Sequence, residues 1–148
     1  MPTGMSHWTD VMALTHLLDT SVYSQPIRDV PLELVMERWS RRPESSLCIS
    51  AVVHAELLQG LMDRQSKKYW RRYQELLEGR YSILAFDATV AETYSRLVVE
   101  LKQAGKPRPM ADIMIAATAR RHGLIIATLN VRDFEGLPGV AVENWGQG

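Results

Sequence analysis

Short apolar runs alternate with longer stretches in helical spacing along most of the chain, and this alternation leaves few architectures open. Ala13 to Asp19, Leu47 to Ser50, Tyr81 to Phe86, Leu124 to Thr128 and Val140 to Glu143 read as strands. Helical patterns run from Pro31 to about Arg42, Ala51 to Asp63, Ser66 to Glu78, beyond Asp87 to about Ala104, and Met110 to His122. The punctuation agrees with this division. Pro43 breaks the first pattern, Ser50 and Asp87 stand where helix N-caps are needed, and Gly79, Gly105 and Gly123 stop helices. A strand-helix-strand alternation of this kind predicts an α/β sandwich with a mostly parallel sheet.

The 148 residues, 46% of them hydrophobic, suit one compact domain. Such a chain buries roughly 68–70% of its unfolded surface and needs no disulfide to stand. Cys48 has no partner to bridge with, no Cys/His zinc spacing is present, and no secretory leader is visible, so a reduced, cytoplasmic protein is expected. Apolar runs such as Leu124 to Leu129 are far shorter than the 18 or so residues of a membrane span. Seventeen basic residues balance seventeen acidic ones, so a nucleic-acid partner must be met by a local patch. Residues 1–11 show no clear period and are expected to be a flexible extension, with one domain over 12–148.

In open α/β sheets ligands collect beyond the carboxyl ends of the strands, which makes acids at those ends the first candidates for chemistry. Asp19 follows Thr15, His16, Leu17 and Leu18 at a point where an apolar residue buries better, and it precedes Thr20 and Ser21. A helix N-cap and a functional acid explain it equally well. Asn130 and Asp133 follow the strand that ends at Thr128; standing alone they are accounted for by Asx-turn chemistry. Asp112, in the first turn of its helix, shares a face with Ile115, Ala116 and Ala119. The helix dipole, worth about 0.3–1 kcal/mol, explains an exposed acid there but not one on an inward stripe, so a functional role is favoured. Glu56 has Gln59 and Asp63 on its side of the helix, which reads as a solvated edge. Carboxylates gathered in one cleft repel unless a cation neutralises them, and an all-oxygen donor set suits Mg²⁺ or Mn²⁺. Without a Gly-rich phosphate loop or a G-x-S-x-G elbow, the best-matched chemistry is metal-assisted phosphodiester hydrolysis, the metal activating the attacking water.

Four segments, in this order, resemble the PIN-domain ribonucleases and among them the VapC-like toxins of bacterial toxin–antitoxin pairs. Leu17-Leu18-Asp19-Thr20-Ser21 is similar to the family's opening strand and first acid, and Ser50 to Gly60, with Ala55-Glu56-Leu57, to its second motif. Asp112 to Ala119, approached through Gly105 to Pro109, is similar to the third motif; Thr128 to Phe134 followed by Val142-Glu143-Asn144-Trp145 is similar to the C-terminal signature. The match spans nearly the whole chain after Met12. The resemblance implies a PIN-like three-layer sandwich, a central sheet of four to five strands flanked by helices. It implies Asp19, Glu56 and Asp112 as ligands of Mg²⁺ or Mn²⁺, against the solvated-edge reading of Glu56. Asp133, or alternatively Asn130, fills the fourth position, and Ser21, Thr128 and Asn130 position water or substrate. Ser21 stands where the family often has Asn and keeps an oxygen there. The implied activity is an endoribonuclease using metal-activated water, with RNA as substrate, a small antitoxin whose C-terminal segment enters the cleft, and a homodimeric state. A PIN fold kept as an interaction module with little hydrolysis is the alternative.

Lys106 and Arg108, just before Asp112, are candidates for phosphate contacts. Arg64, Lys67, Lys68, Arg71 and Arg72, interleaved with Tyr69, Trp70 and Tyr73, can steer and stack RNA, but a solvated basic face is the favoured reading. Trp70, Tyr73 and Leu77 then form a packing or dimer stripe. His16, His54 and His122 read as structural or surface histidines, and Met12, Met36, Met62, Met110 and Met114 as core filler.

Overall fold

The computed structural model describes residues 13–148, so the expected extension over 1–11 and the core role of Met12 lie outside the described residues. The elements run β1 (His16–Leu18), α1 (Thr20–Tyr23), a 3-10 turn (Gln25–Ile27), α2 (Glu33–Ser40), a 3-10 turn (Glu44–Ser46), β2 (Leu47–Ser50) and α3 (Ala51–Arg64). They continue with α4 (Lys67–Leu76), β3 (Ser82–Leu84), α5 (Ala88–Gln103), α6 (Met110–His122), β4 (Ile125–Thr128), a 3-10 turn (Val131–Asp133) and β5 (Ala141–Asn144).

The sheet is wholly parallel, in the order β3-β2-β1-β4-β5. Parallel pairs need crossovers, and crossovers are right-handed. The chain steps from β1 to β3 in one direction and returns past β1 to β4 and β5. The helices before β3 therefore cover one face, α5 and α6 the other, and the result is a three-layer sandwich. From β1 and β4, which pair from His16 with Ile125 to Leu18 with Ala127, the chain departs in opposite directions. That is a topological switch point, and a crevice opens beyond the carboxyl ends of these two strands.

Burial explains the lengths of the elements. All of β1 and β2 is buried, whereas Ser82 and Ile83 on the edge strand β3 are exposed, so β3 shrinks from the expected Tyr81 to Phe86 to the three residues that pair with β2. The last strand shifts by one residue because Asn144 pairs with Thr128. α2 starts at Glu33 rather than Pro31, since the buried Gln25 carboxamide accepts from the Leu32 N–H at 3.0 Å and donates to the Ser21 carbonyl at 3.1 Å, holding the approach extended. Leu17, Leu18, Ile49, Ile126 and Trp145 are fully buried, each large apolar side chain contributing about 1.5–3 kcal/mol. α6 buries Ile113 and Ile115 to Ala119, its alanines allowing close approach to β4 and α5, and it ends at Gly123 (φ 66°), whose left-handed backbone suits glycine.

The expectation that the methionines fill the core needs correction. Met62 and Met110 are 60% and 66% exposed, on the outer face of α3 and at the first residue of α6, so neither fills the core, and Met36 and Met114 are half-buried. Tyr73 and Leu77 are buried and Trp70 packs edge-on to Tyr73, which makes that stripe a packing face. Among the described residues no helix is long and apolar enough to cross a membrane.

Candidate active site

Asp19 is the first residue beyond β1, and its backbone N–H still reaches the Ala127 carbonyl of β4 at 3.0 Å. The residue is 7% exposed. Its Oδ1 accepts from the Thr20 N–H at 2.7 Å, so Asp19 caps α1. Its Oδ2 accepts two further bonds, from Ser21 Oγ at 2.9 Å and Thr128 Oγ1 at 2.7 Å. Each of those hydroxyls in turn accepts a backbone N–H from the chain leaving β4: Leu129 donates to Ser21 Oγ at 3.0 Å and Asn130 to Thr128 Oγ1 at 2.9 Å. Two short relays therefore converge on one carboxylate oxygen. The N-cap and functional explanations of Asp19 are compatible, because one oxygen serves the cap and the other is held by Ser21 of α1 and Thr128 of β4. The hydroxyl protons of Ser21 and Thr128, expected to position water or substrate, are directed at Asp19, and Asn130 is exposed and contributes its backbone N–H.

Ser50 caps α3 by accepting the Val53 N–H at 3.1 Å, and this helix carries Glu56. Glu56 is half-buried and its Oε1 accepts from Thr20 Oγ1 at 2.6 Å. It therefore faces the Asp19 segment, which corrects the solvated-edge reading: the helical wheel contains Gln59 and Asp63 but not the α1 residue leaning on it. Thr20 was not singled out from sequence; its signal was the unbroken Asp-Thr-Ser that ends the first strand run.

Asp112 enters from the other layer, in the first turn of α6, and is half-buried. Burial first, and then the negative charges of Asp133, Asp19 and Glu56, push its carboxyl up to about 6, while Arg108 opposes the shift. Asp133 closes the 3-10 turn after β4, its N–H bonded to the Asn130 carbonyl at 3.0 Å. Four acids from separate parts of the chain thus act on one cleft. Among the described residues no three His, Cys, Asp or Glu side chains are drawn together into a tight metal-sized cluster. The acids are near enough for their charges to be felt at Asp112, and Asp19 and Glu56 are turned toward hydroxyl donors. Of the expected phosphate contacts, Arg108 stands by this cleft: its Nη2 donates to the Glu135 carbonyl at 3.3 Å and its buried Nε has no partner among the described residues. Lys106 is exposed on the same connection.

The family model described as PIN domain matches residues 16–139. The tRNA(fMet)-specific endonuclease VapC of Shigella flexneri is 35% identical over 135 residues, covering 89% of this chain and 98% of the relative. Toxin FitB of Neisseria gonorrhoeae is 36% identical over 126 residues, 80% of this chain and 89% of the relative. The FitAcB structure from Neisseria gonorrhoeae superposes with a TM-score of 0.81 at 33% identity, covering 88% of this chain and 98% of that one. With its five-stranded parallel sheet and acids at the switch point, the chain belongs to the PIN-domain family, within its VapC-type ribonuclease toxins.

Proposed function

We propose that this protein is a Mg²⁺- or Mn²⁺-dependent endoribonuclease, the toxin of a toxin–antitoxin pair, in which Asp19, Glu56, Asp112 and Asp133 hold the metal. The observation that carries the reading is the gathering of Asp19, Glu56, Asp112 and Asp133 from separate elements at the switch point, where burial first and then the charges of the other three raise the Asp112 carboxyl. The donor set fits a hard divalent cation: it consists of carboxylate oxygens backed by hydroxyls, with no soft ligand. When bound, such an ion supplies Lewis-acid activation of water and charge stabilisation at the leaving oxygen.

The chain's own residues prepare that chemistry. Ser21 and Thr128 lock Asp19 in one orientation, as outer partners do for metal ligands generally. Thr20 orients Glu56 in the same way. Asp112 must give up its proton before it can serve as a ligand; the charge of Arg108 lowers its affinity for that proton, and Arg108 is the proposed contact for a phosphate oxygen. The partners that follow from this reading are RNA, a small antitoxin and a second copy of the chain. Because the Shigella relative is a tRNA(fMet)-specific endonuclease, initiator tRNA is the first substrate to try.

The test incubates purified protein with initiator tRNA and a panel of structured RNAs in Mg²⁺, Mn²⁺ or chelator, with Asp19→Asn and Asp112→Asn alongside. Cleavage that needs metal and vanishes in both variants is expected. Equal cleavage by all three proteins, or none by any, overturns the proposal in favour of an interaction module.

A further inference from the structure

A groove adjoins the acids on the α3 side, lined among others by Thr20, Glu56, Gly60, Arg28, Arg64 and Tyr69. Glu56, Gly60 and Arg64 recur every four residues and so lie on one face of α3, over about 12 Å of helix rise. The groove thus leads from an acid of the site to a guanidinium.

The basic cluster beside it is less uniform than its sequence. Lys68 and Arg72 both pair with Asp29, at 3.0 and 2.8 Å, and Tyr69 donates its hydroxyl to the same carboxylate at 2.9 Å. Those hydrogen bonds, Arg72's foremost, hold Asp29 well below the usual carboxylate range. Tyr69 is thereby anchored, and Arg64 stacks over its ring with Cζ 4.2 Å from the centroid. Among the described residues the Arg28 side chain reaches only the Ser24 hydroxyl, at 3.4 Å. Among the described residues neither Arg28 nor Arg64 has a carboxylate within ion-pair distance, although both line the groove.

Gly60 is the third observation. A glycine inside a helix of 14 residues lowers helix stability relative to alanine, yet a Cβ built at Gly60 meets nothing within 4 Å, so packing does not demand the glycine. What a side chain there occupies is the groove itself.

We propose that Arg28 and Arg64 form a phosphate subsite for the RNA strand whose scissile bond lies at the acids, with Gly60 keeping the path between them open to the sugar-phosphate backbone. Two guanidiniums without carboxylate partners, one held in place by an anchored aromatic ring, match a polyanion threading from the site. This rests on the ribonuclease reading, but its binding step needs neither metal nor hydrolysis.

The experiment uses the full chain and a short fluorescein-labelled single-stranded RNA of random sequence. Anisotropy titrations in chelator across a salt series are run beside cleavage kinetics in Mg²⁺. Single-strand binding loses about 0.7 from the slope of log K against log salt for each phosphate contact removed. Arg28→Ala and Arg64→Ala are each expected to lower the slope by about 0.7, and the double variant by about 1.4, raising KM with kcat largely kept. Arg64→Lys restores the slope. Gly60→Leu is expected to weaken binding severalfold without changing the slope, while Gly60→Ala melts at an equal or higher temperature than wild type. An unchanged slope and KM in the double variant overturn the subsite while leaving cleavage, and so the ribonuclease reading, standing. RNA binding that depends on both arginines in a wild type that never cleaves keeps the subsite and sinks the ribonuclease reading instead. Variants that lose only inhibition by an antitoxin peptide, with RNA binding intact, reassign the groove to a protein partner and overturn the proposal.

Discussion

Asp19, just beyond β1, and Glu143, inside β5, are acids of one sheet on either side of β4, and their surroundings are opposite. Glu143, inside β5, has donors of compensating charge or strong polarity: His16 Nε2 donates to its Oε1 at 3.0 Å, Trp145 Nε1 donates at 3.1 Å, and the Arg42 guanidinium lies 3.9 Å away. Burial alone raises Glu143, but the bonds from Trp145 and His16 and the charge of Arg42 outweigh it and leave the carboxyl below its ordinary value. The acids beyond β1 have hydroxyls and backbone N–H groups, one another's charges and a single nearby arginine, and Asp112 rises to about 6. A structural acid is one whose charge the fold balances internally. A site acid is held just as firmly while its charge is left for something else to balance.

The sharpest way to break the comparison is to neutralise one acid in each region. Asp112→Asn is expected to lower the rate of RNA cleavage by at least 10²–10³-fold, the scale of removing one strong electrostatic contact to a transition state, as read from single-turnover rates. The same variant melts at an equal or higher temperature than wild type in chelator at pH 7, since it relieves repulsion. Divalent metal is expected to raise the melting temperature of wild type and to raise that of the variant less.

Thr128→Val tests whether the relays orient Asp19. It removes one bond to Oδ2 and leaves the Asn130 N–H without an acceptor. Cleavage falls about 10–100-fold, the range for outer partners of metal ligands, and Thr128→Ser recovers most of it. Full activity in Thr128→Val would falsify that role.

In the other region, Glu143→Ala strands His16 Nε2 and Trp145 Nε1 without an acceptor. Urea unfolding is expected to show a loss of about 1–3 kcal/mol, with intrinsic cleavage by the remaining folded protein unchanged.

The smallest effect is in pH. The folded pKa of Asp112, about 6, lies above its unfolded value of 3.8, so the folded state holds more protons in between. Stability of the metal-free protein from this group is therefore highest near pH 4 and falls as pH rises through 6, by about 1–2 kcal/mol once partial exposure is allowed for. His16 has the opposite sign. Burial lowers its pKa below 6.5, against the bond to Glu143, so stability present above 6.5 is lost as pH falls and the unfolded chain takes up the proton. Wild type in chelator should change little between pH 7 and 5.5, because the two oppose, whereas Asp112→Asn loses stability over that interval in urea titrations. A steeper acid loss in wild type than in Asp112→Asn contradicts the assignment of signs.

The strand-helix alternation was legible because burial dominates it: β1, β2 and β4 lie in the middle layer, and their apolar runs stand out without any tertiary information. Asp19 and Asp112 were legible for a related reason, as acids where an apolar residue buries better. Glu56 was not readable from its own helix, since Thr20, 36 positions away, decides which way that face looks. The segment from Thr20 to Ile27 is ordered by side-chain bonds, those of Asp19 and Gln25, which hydrophobic spacing does not report. Ser21 and Thr128 were recognised as part of the site but not for the partner they have; two hydroxyls near an acid look alike in sequence whether they face a ligand or the acid itself.

The order of the strands also carries a consequence in time. β1 is made first, yet one of its two neighbours, β4, is made nearly last, and the acids stand at positions 19, 56, 112 and 133 of the chain. Contacts this distant in sequence form slowly, since the loop closure between them must be met before the pairing rewards it. A growing chain therefore carries its first acids for most of synthesis without a cleft to place them in, and under the proposed function cutting competence arrives only when β4 closes against β1.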